Sequence, residues 1–294
     1  MFSYLDLYTQ HGQRIEVWPV PYEGTVSFGR GTSQGPEAIL RASAEIETWD
    51  EELGQDLADL AHFPTWSAFE PPVSGPEEVL RCMQEELVSI CSPESFVLTL
   101  GGEHSVALAP IRVYQSLFPD LAVLQIDAHA DLRESFQGST CSHACVMART
   151  RELGIPVAQI GIRSLCREES QRIAKQTNQE ILTLFAHDLP SPEQAAAQVR
   201  EFLGERPLYI SFDADGLDPS ILPGTGTPEP GGLSFSWLHR FWPLFFGKSR
   251  LVGMDFCELA PLPGAGVVSE SVAVRCINRI LTAFLRQGGA NAPG

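Results

Sequence analysis

Seven short runs of mostly apolar residues recur along the chain, and within each run the apolar residues follow one another rather than alternating with polar ones. Continuous apolar runs are typical of strands covered on both faces, as in a parallel sheet flanked by helices. We therefore predict a buried strand at each run. The runs are RIEVWPV (14–20), SFVLTL (95–100), LAVLQI (121–126), VAQIGI (157–162), EILTLF (180–185), PLYISF (207–212) and RLVGMDF (250–256).

Helical patterns with recognisable starting signals lie between these runs. Pro36 and Pro76 each occupy a position typical of a first helical residue, and Ser142 and Ser191 are candidate N-caps of two other helices. The predicted helical segments are EAILRAS (37–43), EEVLRCMQEELVSI (77–90), SHACVMARTREL (142–153), SPEQAAAQVREFL (191–203) and SESVAVRCINRILTAFL (269–285).

Strands that alternate with helices over the whole length predict an α/β fold with a mostly parallel, doubly wound sheet. We find no internal repeat and no linker, so residues 1–294 are predicted to form a single domain. The longest irregular segment is LPGTGTPEPGG (222–232), which is rich in Gly and Pro. A segment of this kind inside a compact domain is more often a functional loop than a domain boundary.

Titratable side chains follow four of the predicted strands. Ligands of open α/β sheets gather at the carboxyl ends of the strands, so these residues are candidates for one common site. In DAHAD, positions i, i+2 and i+4 of an extended segment point to the same side, which brings three strong metal-binding or proton-transfer groups together. The residues are His104 in GGEHS, Asp127, His129 and Asp131 in DAHAD, Asp213 and Asp215 in SFDADG, and Glu258 in MDFCELAP.

Four aspartates and two histidines directed at one volume would repel one another strongly without a counter-charge. Two divalent cations would cancel the four negative charges. Ligands that are all carboxylate oxygens or imidazole nitrogens suit Mn²⁺ better than structural zinc, while Fe²⁺, Co²⁺, Ni²⁺ and Zn²⁺ remain compatible with the ligand type. A lone Asp-x-His or Asp-x-Asp is usually a cap or a turn, but several of them at successive strand ends favour a metal site.

The net charge of the chain makes some classes of binding partner unfavourable. Its 20 basic and 37 acidic residues give a formal net charge of -17. Such a charge repels phosphate backbones and anionic headgroups, so we expect neither nucleic acid nor membranes as partners. It also raises the local concentration of cationic substrates.

The cysteines and the N-terminal residues indicate the compartment. The seven cysteines are an odd number without a CxxC pair, which favours reduced thiols. The first residues, MFSYLDLYTQHGQ, have neither a basic region nor an apolar core of a secretory signal. We therefore expect a soluble, cytoplasmic protein.

Four ordered blocks carry a resemblance to a known family. GGEHS, DAHAD, SFDADGLDP and GTGTPEPGG resemble the signature blocks of the ureohydrolase family, which includes arginase and agmatinase, and the likeness extends from PVPYEGTVSFGRGTSQGPEAI (19–39) to the final helix. The resemblance implies a three-layer α/β/α fold with a mostly parallel sheet of about eight strands. It further implies a homotrimer or homohexamer, and a site with two Mn²⁺ ions per chain that hydrolyses a guanidinium to urea and an amine.

The resemblance also assigns roles to individual residues. Glu258 matches the glutamate that grips the substrate guanidinium, and His143 matches the histidine that passes a proton to the departing amine. Glu103 stands where many relatives carry Asp, either as an acidic partner of the metal site or as a turn contact. The implied metal ligands are Asp127 and Asp213 on both ions, His104 and Asp131 on one ion, and His129 and Asp215 on the other.

The substrate follows from two departures from the arginase pattern. Arg133 and Cys166 replace the asparagine and the aspartate with which arginases hold the α-carboxylate and α-amine of arginine. A decarboxylated substrate fits better, and we predict cleavage of agmatine to putrescine and urea, a step of polyamine biosynthesis. Glu134 and Glu229 would suit a distal amine, which also fits N1-aminopropylagmatine. Arg133 would suit the acid guanidinobutyrate, and arginine is the remaining alternative.

Two hypotheses of other classes stay open. A mononuclear metal-dependent amide deacetylase shares the strand-end arrangement, but it would need only one metal. An inactive metal-binding relative would be expected to lose a ligand, and all six are present. Metal stoichiometry and a urea assay distinguish the three.

Overall fold

The computed structural model describes residues 2–5, 11–175, 180–247, 250–264 and 266–288. Each apolar run predicted as a strand contains one, and all seven strands belong to one sheet. In chain order they are β1 (Glu16–Val20), β2 (Val97–Gly101), β3 (Ala122–Ile126), β4 (Val157–Ile162), β5 (Ile181–Phe185), β6 (Leu208–Asp213) and β7 (Leu251–Cys257).

The sheet is parallel throughout and has the order β1-β2-β7-β6-β3-β4-β5. Within the described ranges it has seven strands, where the resemblance implied about eight. Two smaller pairings lie outside it: Gln13–Arg14 runs parallel to Ala61–His62, and Trp49–Asp50 runs antiparallel to Gln55–Asp56.

All five predicted helical segments are helical, although Ser142 makes no capping hydrogen bond, whereas Ser191 forms a full capping box with Gln194. The segment after Ser142 begins as a tight turn (His143–Cys145) before it becomes α-helical. The helices are α1 (Gly35–Ser43), α2 (Leu57–Leu60), α3 (Pro76–Val88), α4 (Leu108–Leu117), α5 (Val146–Glu152), α6 (Arg167–Lys175), α7 (Pro192–Leu203), α8 (Phe235–Phe245) and α9 (Val268–Gly288).

Helices cover both faces of the sheet, as the continuous apolar runs predicted. Neighbouring strand residues point to opposite faces, so Val123 belongs to one hydrophobic cluster and Leu124 to the other. The cluster around Leu124 includes residues of α1, α7, α8 and α9, and the cluster around Val123 includes residues of α3, α4 and α5. The three-layer α/β/α fold is therefore confirmed.

No helix within the described ranges combines the length and the apolar character needed to cross a bilayer. All seven cysteines are free thiols, as expected.

Candidate metal centre and active site

The register of the sheet brings the ends of the central strands to one level. β6 pairs Phe212 with Ile126 of β3 and Asp213 with Cys257 of β7. Asp127 follows Ile126 directly, so its side chain leaves the sheet beside that of Asp213. Because parallel strands all point the same way, the polar residues that follow them are gathered at one edge.

His104 lies at the centre of one group of carboxylates. Its Nδ1 atom is 2.8 Å from Asp131 Oδ2, 3.2 Å from Asp127 Oδ2 and 3.4 Å from Asp213 Oδ2. All four side chains are buried. Three carboxylates that come from two different strand ends therefore converge on a single imidazole nitrogen.

A second group shares Asp127 with the first. The Nδ1 atom of His129 is 3.0 Å from Asp215 Oδ2 and 3.6 Å from Asp127 Oδ1. The ligand atoms of His104, Asp127 and Asp213 lie within 4.8 Å of one another, and so do those of Asp127, His129 and Asp215. The structure thus brings together all six predicted ligands in two adjoining groups, and Asp127 belongs to both.

The donors of these two groups fit divalent metal ions. One N–H of His104 can donate to only one of the three carboxylates around it, so the other two face each other without a counter-charge. Burial together with Asp215 and Asp127 raises the pKa of Asp213 well above its usual range, and burial raises that of Asp131 to about 7. Among the described residues, neither Lys nor Arg forms an ion pair with the four aspartates. Cations held between these oxygen and nitrogen donors would remove the repulsion.

A hydrogen-bonded chain behind His104 orients its ring. The Nε2 atom lies 2.8 Å from Ser211 Oγ, and Ser211 Oγ donates to Asp255 Oδ1 at 3.1 Å. A metal ion held between the carboxylates would leave the His104 proton on Nε2, where Ser211 accepts it, and would take the electron pair of Nδ1. This arrangement is typical of histidines that bind metals.

Two site residues have unusual backbone conformations. Asp131 has φ 53° and Glu258 has φ 63°, the left-handed region that residues other than glycine seldom adopt. Strain of this kind is typical of functional sites, where the surrounding structure holds a side chain in a required direction.

Glu258 lies buried next to the metal-ligand groups. Its Oε1 accepts a hydrogen bond of 2.7 Å from the backbone N–H of His104, and its own N–H donates to Gly102 O at 2.7 Å. Burial and the nearby Glu103 and Asp215 raise the pKa of Glu258 to about 8. A side chain at Gly226 of the Gly/Pro-rich loop would bring its Cβ to 3.5 Å from Oε2, and glycine leaves that space free. The carboxyl group therefore stands ready for a cationic partner that would keep it ionised.

His143 lines a cavity of about 270 Å³ that opens onto His129 and Asp131. The ring of Phe136 contacts that of His143 edge to face, with the centroids 5.6 Å apart. Burial, followed by the positive His104 and His129, lowers the pKa of His143 to about 4. The ring is thus neutral near neutral pH, which suits a group that accepts and returns a proton.

Of the three predicted tail-binding residues, Arg133, Glu134 and Glu229, one lines this cavity. Arg133 lines the cavity, and its guanidinium carbon is 5.1 Å from the ring centroid of Phe136. Glu134 does not line it. Instead its carboxylate pairs with Arg149 at 3.1 Å and with Arg172 at 2.7 Å.

Glu229 belongs to the Gly/Pro-rich loop, and the ends of that loop are firmly anchored. Its Oε1 accepts a hydrogen bond from Ser164 Oγ at 3.0 Å. Asp218 accepts hydrogen bonds from the backbone of Gly231 and Gly232. The Arg163 guanidinium donates to the carbonyls of Asp215, at 2.6 Å, and Glu229, at 2.8 Å. The loop is therefore tied directly to the segment that carries Asp213 and Asp215.

Glu169 is an acidic residue of the cavity that the sequence reasoning missed. It is buried, lines the cavity and accepts hydrogen bonds from the backbone N–H groups of Leu132 and Cys166 at 2.9 and 2.7 Å. It lies on α6, whose sequence REESQRIAK is too polar to show a helical apolar face. The available signal was the pair of adjacent glutamates, Glu168 and Glu169, in the segment between β4 (Val157–Ile162) and β5 (Ile181–Phe185).

Comparisons with known proteins agree with this arrangement. A family model described as the arginase family matches residues 13–282. The chain is 35% identical over 261 residues to an N(1)-aminopropylagmatine ureohydrolase from Synechocystis sp., covering 87% of this chain and 84% of the relative. It is 31% identical over 278 residues to an agmatinase from Bacillus subtilis, covering 92% and 91%. The solved structure of proclavaminate amidino hydrolase from Streptomyces clavuligerus matches with a TM-score of 0.84 at 26% identity, covering 97% of each chain.

Proposed function

This chain belongs to the arginase family, and from that premise we propose that it hydrolyses the guanidinium group of agmatine to give putrescine and urea. The observation that carries the proposal is the pair of His/Asp groups that share Asp127 at the ends of β2, β3 and β6. A mononuclear amide deacetylase would not need the second group, and an inactive relative would not be expected to keep every ligand.

The six ligands would hold two divalent ions, and we propose Mn²⁺ for both, with Ni²⁺, Co²⁺ and Fe²⁺ as alternatives. His104 and Asp131 would serve one ion and His129 and Asp215 the other, while Asp127 and Asp213 would serve both. Bound divalent ions would supply the Lewis acidity that makes water nucleophilic near neutral pH.

Glu258 and His143 would bind the substrate and transfer the proton. Glu258 would hold the planar guanidinium through charge-assisted hydrogen bonds and so fix its carbon above the attacking water. His143 would take a proton from that water and deliver it to the nitrogen that leaves as the amine. The cavity that His143 lines leads outward to Arg133, Cys166 and Glu169, where the tail of the substrate would lie.

The acidic residues of this outer region favour a cationic tail. Glu169 lines the cavity, and Glu229 accepts a hydrogen bond from Ser164, which also lines it. Among the described residues, Glu229 has no ion pair with Lys or Arg, whereas Glu169 has one, with Arg133 Nε at 3.9 Å. Arginine-specific contacts are missing because Arg133 and Cys166 occupy their positions. Glu134 contributes less than the sequence suggested, since Arg149 and Arg172 already bind its carboxylate.

N1-aminopropylagmatine is the second candidate substrate. The relative from Synechocystis sp. that carries this name is 35% identical, against 31% for the agmatinase from Bacillus subtilis. A second cavity of about 590 Å³ adjoins the first and shares Arg133 and Cys166 with it. It offers room for a longer tail.

We further propose that residues 1–294 act as one catalytic domain, since a single sheet takes strands from Glu16 to Cys257. The seven free thiols favour a cytoplasmic location, and the family favours a homotrimer or homohexamer. Putrescine as the product would place the reaction in polyamine biosynthesis.

A urea-release assay tests the substrate. The Mn²⁺-loaded protein should cleave agmatine or aminopropylagmatine with a kcat/KM at least about a hundredfold above that for arginine, a difference of roughly 3 kcal/mol. Guanidinobutyrate and free guanidine complete the panel. Preference for guanidinobutyrate would make Arg133 the specificity residue, and preference for arginine would refute the argument from missing contacts.

A further inference from the structure

His143 is held from behind by a threonine that lies far away in the sequence. The Oγ1 atom of Thr25 is 3.0 Å from His143 Nδ1 and also accepts a hydrogen bond of 3.1 Å from the backbone N–H of His143. Thr25 is buried, and it belongs to the loop that follows β1. On the other side of the ring, Nε2 is 3.5 Å from Ser27 Oγ, at the wall of the cavity.

Thr25 is in turn held by a buried carboxylate. Glu103 Oε1 accepts hydrogen bonds from Thr25 Oγ1 at 2.6 Å and from Ser105 Oγ at 2.5 Å. Glu103 Oε2 accepts from the backbone N–H groups of Gly24 at 2.6 Å and Thr25 at 2.5 Å. Four donors directed at two oxygens are what an ionised carboxylate accepts.

The direction of the Thr25 hydroxyl proton then determines the tautomer of His143. The single hydroxyl proton of Thr25 is used in the bond to Glu103, so Thr25 Oγ1 can only accept from His143. The proton in the 3.0 Å contact must therefore sit on Nδ1 of the imidazole. In a neutral imidazole this leaves the free electron pair on Nε2, on the side of the cavity.

We propose that Thr25 and Glu103 are positioning residues, which fix His143 in the tautomer protonated on Nδ1 and direct its basic Nε2 into the cavity. The use of this tautomer in catalysis rests on the proposed function. Nε2 would take one proton from the attacking water and pass the same proton to the departing nitrogen, so the ring returns to its starting state. While Nε2 carries that proton, the bond from Nδ1–H to Thr25 Oγ1 stabilises the imidazolium.

Neutron diffraction of the holoenzyme, with crystals exchanged into D₂O, tests the tautomer without any activity measurement. We expect deuterium on Nδ1 of His143, none on Nε2, and the Thr25 hydroxyl deuterium directed at Glu103. Deuterium on Nε2 alone, or a Thr25 hydroxyl that donates to His143, would overturn the proposal. This result is independent of which guanidine is the substrate.

Thr25→Val tests the catalytic consequence, because valine keeps the shape and removes the hydroxyl. We expect kcat for urea release to fall about 10- to 100-fold, within the range ascribed to acid–base catalysis, while KM stays within about threefold and the metal content is unchanged. Thr25→Ser should restore kcat to within about threefold. Ser105→Ala is the matched control, since it removes a hydroxyl from the same carboxylate without contacting His143, and it should cost at most about threefold.

A double-mutant cycle separates positioning from a general loss of stability. Once His143 is replaced in His143→Ala, the further change Thr25→Val should lower kcat by less than about twofold, because the group that Thr25 orients is gone. Full additivity of the two losses, or wild-type kcat in Thr25→Val, would contradict the proposal. An inactive wild-type protein would refute the proposed function instead and leave the neutron result to decide the tautomer.

Discussion

The site has a floor and a rim that are built in different ways. The floor consists of His104, Asp127, His129, Asp131, Asp213 and Asp215, and the rim consists of Arg133, Glu134, Cys166, Glu169 and Glu229. Floor residues are fixed by the strand ends, and five of the six are fully buried. Rim residues lie on loops and on α6, and helices remote in sequence supply some of their partners. We therefore expect the rate of hydrolysis to depend on the floor residues and the choice of substrate to depend on the rim residues.

The largest effect is expected from the residues that would serve both metal ions. Asp127→Asn and Asp213→Asn should each lower kcat at least about a thousandfold, roughly 4 kcal/mol, because each change weakens two ion sites at once. In the proposed ligand assignment Asp215 would serve only one ion, so Asp215→Asn should be clearly milder. Urea release and metal content measured on the same samples check this order, and equal, mild losses in all three variants would contradict the assigned roles.

Glu258 accepts a hydrogen bond from the backbone of His104 in the floor, and its replacement should have the next largest effect. Glu258→Gln removes the charge that would pair with the guanidinium, so kcat/KM should fall about a hundredfold, roughly 3 kcal/mol, through both weaker binding and a misplaced guanidinium carbon. The number of bound metal ions should stay the same. Loss of a bound metal ion in this variant would show that Glu258 supports the metal site. Wild-type kinetics would show that Glu258 does not bind the substrate.

The same difference between strand ends and loops explains which parts of the fold and of the site the sequence predicts. Every strand of the seven-stranded sheet was predicted, because buried parallel strands have continuous apolar runs. The convergence of the floor residues was predicted from their positions directly after strand ends. The extended spacing assumed for Asp127, His129 and Asp131 was wrong, because these residues follow β3 rather than continue it and Asp131 has a φ of 53°. Register then aligns neighbouring strand ends.

The helices α2, α4, α6 and α8 were not predicted, and each has a physical reason. α2 is a single turn of four residues. α4 carries Pro110 in its first turn, α6 is nearly all polar, and α8 combines several aromatic residues with an internal Pro243. The partners of Glu134 could not be foreseen either. Arg149 and Arg172 reach it only through the packing of α5 and α6.

On the rim, Glu229 and Glu134 were both predicted to bind a distal amine, but their replacement should affect KM to different extents. Glu229→Gln should raise KM for agmatine about fivefold, because its carboxylate accepts a hydrogen bond from the Ser164 hydroxyl and forms no ion pair with Lys or Arg among the described residues. Glu134→Gln should change KM less than about twofold, since its carboxylate already pairs with Arg149 and Arg172. Steady-state kinetics of the two variants compare them directly. A larger effect at Glu134 would show that the two arginines release it to the substrate.

The smallest effect is expected at Cys166, the thiol shared by both cavities. Cys166→Ser should leave kcat within about twofold, because the proposed reaction uses water and not a thiolate as the nucleophile. Burial raises the pKa of this thiol, which keeps it protonated near neutral pH. Loss of turnover in this variant would instead indicate a cysteine mechanism.

The most direct test of the floor is the number of metal ions that activity requires. Protein stripped by a chelator should be titrated with Mn²⁺ in a calorimeter while urea release from agmatine is followed on the same samples. We predict about two ions bound per chain, with full activity only when both of the groups that share Asp127 are filled. A single binding site that gives full activity would contradict the binuclear account of this site.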